Sequence, residues 1–405
     1  MGRRMTRILI GLVVTLAFLT GTDGGAAAQT LKIGAAVALT GAVSKEGKLL
    51  KDGYDLWLEQ VNKSGGVPVG GKRYKVEIVY YDDESNAQTG AKLTEKLITE
   101  DKVQFVLGPF SSPITMQTSV IGEKYKIITM AALANSDAIY GRGFSYVFSV
   151  LPPATKYMKL LLDMGTKLQP RPKTVAILAL NNAFGLLAAQ GAQDHAKAVG
   201  YDVVYSEKYP ERSSDVSAFL TQVKAKNPDM VIASSLFQDA LLITKQAKEL
   251  KLCPKVLAFT VGPALPDFAK SLGKDAEYLY GSEWWLPNMG WKGRDFGSSQ
   301  DYAKAVKARF GYEPGYHTAA GTASGLLLQM AIEKANSLDT DAVRQALLSL
   351  DVDTFWGPVA WNEKGVNVKG ASGPIQIRDG RVVSVYPEDI REAVPVYPMP
   401  CWDKR

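Results

Sequence analysis

The chain has 405 residues, of which 46% are hydrophobic and 22% charged, and its formal net charge is +6. With only two cysteines and two histidines it is not a disulfide-built scaffold, and we expect neither a metal centre nor a cofactor. Charges of both signs are interspersed instead of forming a basic stripe with aromatic residues, so nucleic acid is not an expected partner.

The N-terminus has the pattern of a secretory signal peptide. Arg3, Arg4 and Arg7 precede the apolar run "ILIGLVVTLAFL", and small residues ending in "AAAQ" follow it. We predict a signal peptide at residues 1–28, cleaved after Ala28. The apolar run is short of the roughly 20 residues that span a membrane. No cysteine follows the cleavage site to carry a lipid, so we expect the mature chain, with a net charge of +4, to be free in the periplasm.

Strand-like and helix-like segments then alternate. The strand "LKIGAAVAL" precedes a helix whose Leu50, Tyr54 and Trp57 share one apolar face, and "SGG" ends that helix. Next come the strand "YKVEIVYYDD", a helix over about 86–100, the strand "VQFVLG", a helix over about 112–125 and the strand "YKIITMAAL". This order predicts a parallel sheet covered by helices on both faces.

A second unit of the same kind begins at "KTVAILAL", after a break at Pro152-Pro153, and continues through "YDVVYSEKY", "PDMVIASSL" and "PKVLAFTVG". An irregular aromatic passage, "YLYGSEWWLPNMGWKG", separates it from three further helices, at about 298–310, 316–336 and 340–350. The tail reads as strands joined by turns, with Asp379-Gly380 predicting a hairpin. Whether Cys253 and Cys401 pair is left open by the sequence.

The stretch "FVLGPFSSPIT" places Ser111 and Ser112 where a strand gives way to a helix. A serine nucleophile is excluded because there is no Gly-x-Ser-x-Gly elbow and no evident base. A phosphate loop is excluded because the chain has no glycine-rich string that ends in Lys followed by Ser or Thr. Two interpretations remain: Ser112 before Pro113 is a helix cap, or the helix N-terminus binds an anion.

Taken together, the segments "IGAAVALTGAVSKEGKLLKDGYDLWLEQVNKSGGV", "VEIVYYDDESNAQTGAKLTEKLI", "VLGPFSS", "TVAIL" and "WGPVAWNEKG" resemble, in that order, the periplasmic binding proteins for leucine, isoleucine and valine. The resemblance implies an α/β fold of two similar doubly wound lobes, the type I periplasmic binding protein fold. It also implies three hinge crossings, near Val150–Pro152, Gly281–Trp285 and Asp353–Gly357. A ligand is expected between the lobes, as in other open α/β sheets.

By this resemblance, lobe 1 comprises residues 29–150 and 282–353, and lobe 2 comprises residues 151–281 and 354–405. The expected partners are a small carboxylate or amino acid and an inner-membrane permease of the ATP-binding cassette class. We expect a monomer without enzymatic activity. A ligand-sensing subunit that reports to a membrane receptor is the alternative, because the same lobes serve both purposes.

The resemblance also assigns roles to residues of the site. In that family the turn matching Ser111 and Ser112 holds the ligand carboxylate, and main-chain groups of Ala131 and Ala132 are placed to bond a ligand. Leu133 stands where the family has a threonine. Val261 stands where the family has the glutamate that pairs with the ligand ammonium. Since an unpaired buried ammonium is costly, we infer a ligand that is a carboxylate without an α-ammonium.

Glu46 is the residue that would restore amino-acid binding, and the alternative is a solvated residue at a helix entry. Aromatic side chains around the expected cleft favour a flat apolar ligand, although about half of them are expected simply to pack the core. The aromatic candidates are Phe110, Phe184, Phe237, Trp284 and Tyr316.

Overall fold

The computed structural model of the chain describes residues 1–2 and 29–405, so the predicted signal peptide lies, apart from its first two residues, outside the described residues. The helices are α1 Ser44–Lys63, α2 Ala87–Thr99, α3 Ser112–Tyr125, α4 Asp137–Tyr140, α5 Lys159–Lys167, α6 Gly185–Ala198, α7 Ser217–Lys226, α8 Phe237–Glu249, α9 Pro266–Leu272, α10 Ser299–Phe310, α11 Tyr316–Ala335 and α12 Thr340–Leu348. The strands are β1 Gln29–Val37, β2 Val67–Val69, β3 Lys72–Asp82, β4 Phe105–Leu107, β5 Thr129–Ala131, β6 Val147–Ser149, β7 Thr174–Leu180, β8 Asp202–Tyr209, β9 Met230–Ala233, β10 Val256–Phe259, β11 Tyr280–Glu283, β12 Lys292–Gly293, β13 Gly297–Ser298, β14 Asp351–Thr354, β15 Gly357–Ala360, β16 Gly373–Arg378 and β17 Arg381–Ser384.

The first sheet has the strand order β2-β3-β1-β4-β5-β6. All neighbouring pairs are parallel except the pair of β2 and β3. Its central strand β1 is buried on both faces: Ile33 packs into the main core, and Ala36 packs with Leu97 of α2 on the opposite side. The expected parallel sheet with helices on both faces is therefore confirmed.

The second sheet has the order β17-β16-β11-β10-β9-β7-β8. The strands from β11 to β8 pair in parallel, while β16 and β17 add an antiparallel edge. Asp379 and Gly380, with φ of 53° and 70°, form the turn between β16 and β17, as the hairpin signal predicts. We call the part of the chain built around each sheet a lobe.

Helix α11 belongs to the first lobe although it lies in sequence between strands β11 and β16 of the second sheet. A Cβ placed on Gly53 would lie 2.2 Å from the carbonyl oxygen of Thr318, so glycine is what allows α1 and α11 to approach so closely. Trp57 Nε1 donates to Gln329 Oε1 at 3.0 Å across the same contact. This packing brings Tyr316, the first residue of α11, to the gap between the lobes.

The third passage of the chain between the sheets lies further along the sequence than expected. Asp353–Gly357 spans the end of the β14 strand and its hairpin turn to β15. Beyond β15, Trp361 Nε1 donates to the carbonyl oxygen of Ser149 at 2.6 Å, and Asn367 N donates to Ser149 Oγ at 2.7 Å. Because these bonds hold the chain against β6, the passage to β16 occupies about 368–372, and the crossing placed at Asp353–Gly357 is corrected accordingly.

The C-terminal tail is fastened to the second lobe. Cys253 and Cys401 form a disulfide with a Cα–Cα distance of 5.5 Å, which answers the question that the sequence left open. Trp402 Nε1 donates to the carbonyl oxygen of Leu252 at 2.8 Å beside it. Across residues 29–405, no helix combines the length and apolar character that crossing a bilayer requires.

Candidate ligand-binding site

The site begins where β4 turns into α3. Tyr54 OH donates to the carbonyl oxygen of Gly108 at 2.6 Å, and a Cβ on Gly108 would lie 3.0 Å from the carbonyl oxygen of Met130, so this turn is held closely against β5. Ser111 follows with φ 84° and ψ 143°, a backbone conformation that costs a non-glycine residue about 1–3 kcal/mol. Strain of this kind is concentrated at ligand sites, where the surrounding structure maintains it.

Neither serine caps helix α3, so the capping interpretation is wrong. Ser111 is the N-cap residue, but its side chain makes no capping hydrogen bond. Ser112 Oγ instead accepts a bond from Ser136 N at 3.2 Å, which leaves its own hydroxyl proton free to donate. Within the described residues the amides of Ser112 and Ile114 have no hydrogen-bond acceptor, and Pro113 between them has no N–H. The positive end of a 14-residue helix therefore presents donors to the gap.

A narrow cavity lies between the lobes at this helix start. None of the described residues that line it carries a charged side chain. Val261 presents an isopropyl group to it, and both polar atoms of the Val261 main chain are bonded to Ser235. The cavity brings together seven of the residues singled out from the sequence: Phe110, Ser111, Ser112, Leu133, Phe184, Val261 and Tyr316.

The other five candidates lie beside the cavity and do not line it. Ala131 and Ala132 are fully buried at the end of β5, and the Ala131 carbonyl already accepts a main-chain bond from the segment that follows β6. Phe237 is buried at the first position of α8, beneath the ammonium group of Lys45 at 4.8 Å from the ring centre. Trp284 packs on the side of the second passage. Glu46 is described below.

Six further residues line the cavity and were missed: Pro113, Asn135, Leu151, Tyr157, Asn182 and Leu236. A signal existed for Asn182, which follows directly on β7 and whose Oδ1 accepts the amides of Phe184 and Gly185 at 3.1 and 2.8 Å. Polar residues at the carboxyl ends of parallel strands commonly face ligands. Tyr157 carried no such signal, because it lies in the irregular segment between β6 and α5.

Aromatic rings form one wall of the cavity. Tyr157 meets Phe184 edge to face, with ring centres 5.6 Å apart, and meets Trp284 in the same way at 5.1 Å. The hydroxyl groups of Tyr157 and Tyr316 lie 3.0 Å apart. The ring of Tyr316 also packs on that of His317, at 4.0 Å between centres. Such a wall suits a flat apolar ligand with few polar groups.

The two lobes touch each other around the cavity, so the structure is a closed form. Ser136 Oγ donates to the carbonyl oxygen of Ala183 at 2.5 Å, and Lys45 of α1 forms an ion pair with Asp267 of α9. A wider and more polar cleft, which includes Arg212 and Gln238 in its walls, adjoins the cavity and shares the Ser111 wall with it.

Glu46 is buried between the lobes and is only 2% exposed, so the solvated interpretation of this residue is wrong. Burial raises the pKa of its carboxyl group to about 7, an effect partly opposed by hydrogen bonding to the main-chain amide of Phe237 at the start of α8. The nearby carboxylate of Asp239 raises it further. Burial likewise raises the pKa of Asp239 to about 6, and Leu236 N donates to its Oδ2 at 2.9 Å.

Glu283 and His317 are buried behind the tyrosines. Glu283 Oε1 accepts the amides of Trp284 at 3.1 Å and Tyr316 at 3.2 Å, while Oε2 has no partner within the described chain. Burial raises the pKa of Glu283 well above its usual value. Burial also lowers the pKa of His317 to about 3, so its ring is neutral, and its Nε2 is unpartnered among the described residues.

Comparison with known proteins identifies the family. Residues 30–380 match the model of the periplasmic binding protein family, and the chain belongs to that family. It is similar to the Leu/Ile/Val-binding protein homolog 8 of Brucella suis biovar 1, with 25% identity over 400 residues that cover 95% of this chain and 97% of the relative.

Solved structures of similar fold include the leucine-binding protein LivK of Thermotoga maritima, with a TM-score of 0.78 and 19% identity over 87% of this chain and 97% of the other. A solute-binding protein of an ABC transporter from R. palustris, in complex with benzoate, has a TM-score of 0.74 and 18% sequence identity, and the match covers 90% of this chain and 99% of the other. Another solute-binding protein, from Rhodopseudomonas palustris BisB5 in complex with 3,4-dihydroxybenzoic acid, has a TM-score of 0.75 and 21% sequence identity, and the match covers 93% of this chain and 99% of the other. At these identities the likeness establishes the type I periplasmic binding protein fold.

Proposed function

We propose that this chain is the periplasmic substrate-binding protein of an ATP-binding cassette uptake transporter, and that its ligand is a small apolar or aromatic carboxylate. The observation that carries the proposal is the cavity itself. Its described walls are apolar, aromatic or neutral, and the N-terminus of α3 supplies two main-chain amides and one hydroxyl proton that no described acceptor uses.

The carboxylate is assigned to the start of α3. Free amides at Ser112 and Ile114, the free hydroxyl proton of Ser112 and the helix dipole all favour negative charge at this place. The cavity lining is uncharged and mostly apolar, so each hydrogen bond to an anion is stronger there than it would be in water.

An ammonium group finds no counterpart in the cavity. Val261 offers it only methyl groups, and Leu133 offers no hydroxyl in place of the family's threonine. Burying an ammonium group without a carboxylate costs several kcal/mol, which disfavours amino acids relative to simple acids. Benzoate and 3,4-dihydroxybenzoic acid, bound by two proteins of the same fold, are ligands of the proposed kind.

Closure couples binding to delivery. Cavity residues come from both lobes, with Ser112 on the first and Phe184 and Val261 on the second, so a ligand has its full set of contacts only when the lobes meet. It therefore shifts the population toward the closed form by its difference in affinity for the two forms. We propose that a monomer, divided into lobes near residues 150, 283 and 368–372, presents this closed form to the permease.

Thermal unfolding of residues 29–405 tests the proposal. Benzoate and phenylacetate are compared with leucine and phenylalanine, each at the same millimolar concentration. A ligand present at 1,000 times its Kd stabilises the folded chain by about 4 kcal/mol, which raises Tm by several degrees. We expect the acids to raise Tm and the amino acids to leave it unchanged. If leucine or phenylalanine raises Tm and neither acid does, the proposal is wrong and the chain is a binding protein for an apolar amino acid.

A further inference from the structure

The cavity wall contains a pair of tyrosine hydroxyl groups with one proton that no described group accepts. Tyr157 and Tyr316, 1% and 2% exposed, come from the segment after β6 and from the start of α11. Their hydroxyl oxygens lie 3.0 Å apart and have no other hydrogen-bond partner in the described chain. Burial raises the pKa of both hydroxyl groups, so both keep their protons.

One of these two protons has no acceptor. A single bond between two hydroxyl groups uses one proton and leaves the second free, and either oxygen can be the donor. Glu283 Oε2 is a buried acceptor behind Tyr316, but it has no partner in the described residues, so neither tyrosine reaches it. An unsatisfied buried donor costs about 1–3 kcal/mol.

A second free donor lies beside the pair. Trp284 packs edge-on against Tyr157 with ring centres 5.1 Å apart, and its Nε1 is buried with no partner in the described part of the chain. The aromatic wall therefore has donor protons without acceptors, while the unpartnered Glu283 Oε2 and His317 Nε2 bond to none of its hydroxyl or indole groups. A donor-only group such as an ammonium cannot accept these protons, whereas an oxygen atom of a ligand can.

We propose that the ligand carries a second oxygen besides its carboxylate, and that the Tyr157–Tyr316 hydroxyl pair donates to it, so that the ligand class is a hydroxyl- or carbonyl-substituted aromatic carboxylate. This inference rests on the proposed function, since it presumes a carboxylate at the start of α3. On a benzoate skeleton the substituent belongs at ring position 3 or 4. A hydroxyl at position 2 bonds to the ligand's own carboxylate and lies at the same end of the molecule.

Calorimetric titration with benzoate and with 2-, 3- and 4-hydroxybenzoate tests the inference on the wild-type protein. One net hydrogen bond of about 1.4 kcal/mol corresponds to a tenfold change in Kd. We expect 3- or 4-hydroxybenzoate to bind at least about tenfold more tightly than benzoate, and 2-hydroxybenzoate to show no such gain. If neither the 3- nor the 4-isomer shows a preference over benzoate, the inference is overturned and the carboxylate function stands.

The variants Tyr157→Phe and Tyr316→Phe test whether the tyrosine hydroxyl groups cause the preference for a hydroxybenzoate over benzoate. We expect the affinity ratio between the preferred hydroxybenzoate and benzoate to fall toward one in both. Tyr146→Phe is the matched control, because its hydroxyl donates to Asp341 Oδ1 at 2.6 Å outside the cavity; it should keep the wild-type ratio. A ratio retained in both cavity variants overturns the inference. Failure of all four acids to bind overturns the proposed function and the inference with it.

Discussion

The buried carboxyl group of Glu46 makes ligand binding depend on pH. It lies on α1 of the first lobe against the start of α8 of the second, and closure removes it from water. Its pKa is about 7 in the closed form, against an ordinary value of 4.5, to which we expect it to return when the lobes separate. Closure therefore takes up a proton between these two pH values.

The direction and size of this pH dependence follow from the linkage between proton binding and lobe closure. Because the pKa is higher in the closed form, closure is fully favoured below about pH 4.5, weakens as pH rises and changes no further above about pH 7. Over the whole pH range, the pKa shift of Glu46 changes the free energy of closure by about 3 kcal/mol. For this one carboxyl group, we expect ligand affinity to fall about 30-fold between pH 5.5 and 8. This interval lies above the pKa of a simple aromatic acid, so the ligand itself stays ionised.

Calorimetric titration with benzoate across this range, on wild type and Glu46→Gln, isolates the contribution of Glu46. Glutamine is neutral at every pH, so the variant should lose most of the pH dependence and retain only the part due to Asp239, whose pKa is about 6. Glu59→Gln is the control on the same helix, since Glu59 is half exposed and paired with Arg309. An identical pH profile in wild type and Glu46→Gln would refute this reasoning.

Three further predictions concern single contacts. Ser112→Ala removes a hydroxyl donor to the carboxylate and should raise the benzoate Kd about 10- to 100-fold by calorimetry, while unchanged affinity would remove Ser112 from the site. The Lys45–Asp267 pair is exposed, so Asp267→Asn should change Kd less than about fivefold, and a 30-fold loss would contradict a surface role. Reduction of the Cys253–Cys401 bond, which closes a large loop, should lower the free energy of unfolding in urea by about 2–4 kcal/mol, and equal stability of the two forms would contradict its contribution.

Much of the fold could be predicted because its signals are local. The alternation of strands and helices gave both parallel sheets, and the Asp379-Gly380 turn gave the β16–β17 hairpin. The same local logic found Ser111 and Ser112, because a strand followed by Gly-Pro and serines marks a helix start at the edge of a sheet. These features depend on periodicity and turn chemistry within a few residues.

What could not be predicted depends on contacts between distant parts of the chain. Burial of Glu46 requires α8 of the other lobe, and the Tyr157–Tyr316 pair joins residues far apart in sequence. The third passage was misplaced because Asp353–Gly357 reads equally well as a hairpin turn or a crossing. Only the bonds from Trp361 to β6 decide between these readings.

We propose that a carboxylate is bound by the start of α3 while both lobes close over it. The most direct test is a crystal structure of residues 29–405 grown with benzoate. We expect both carboxylate oxygens within about 3 Å of donors at Ser112 and Ile114, and the ring against Phe184 of the other lobe. A carboxylate bound away from α3, or a benzoate contacted by one lobe alone, would contradict it.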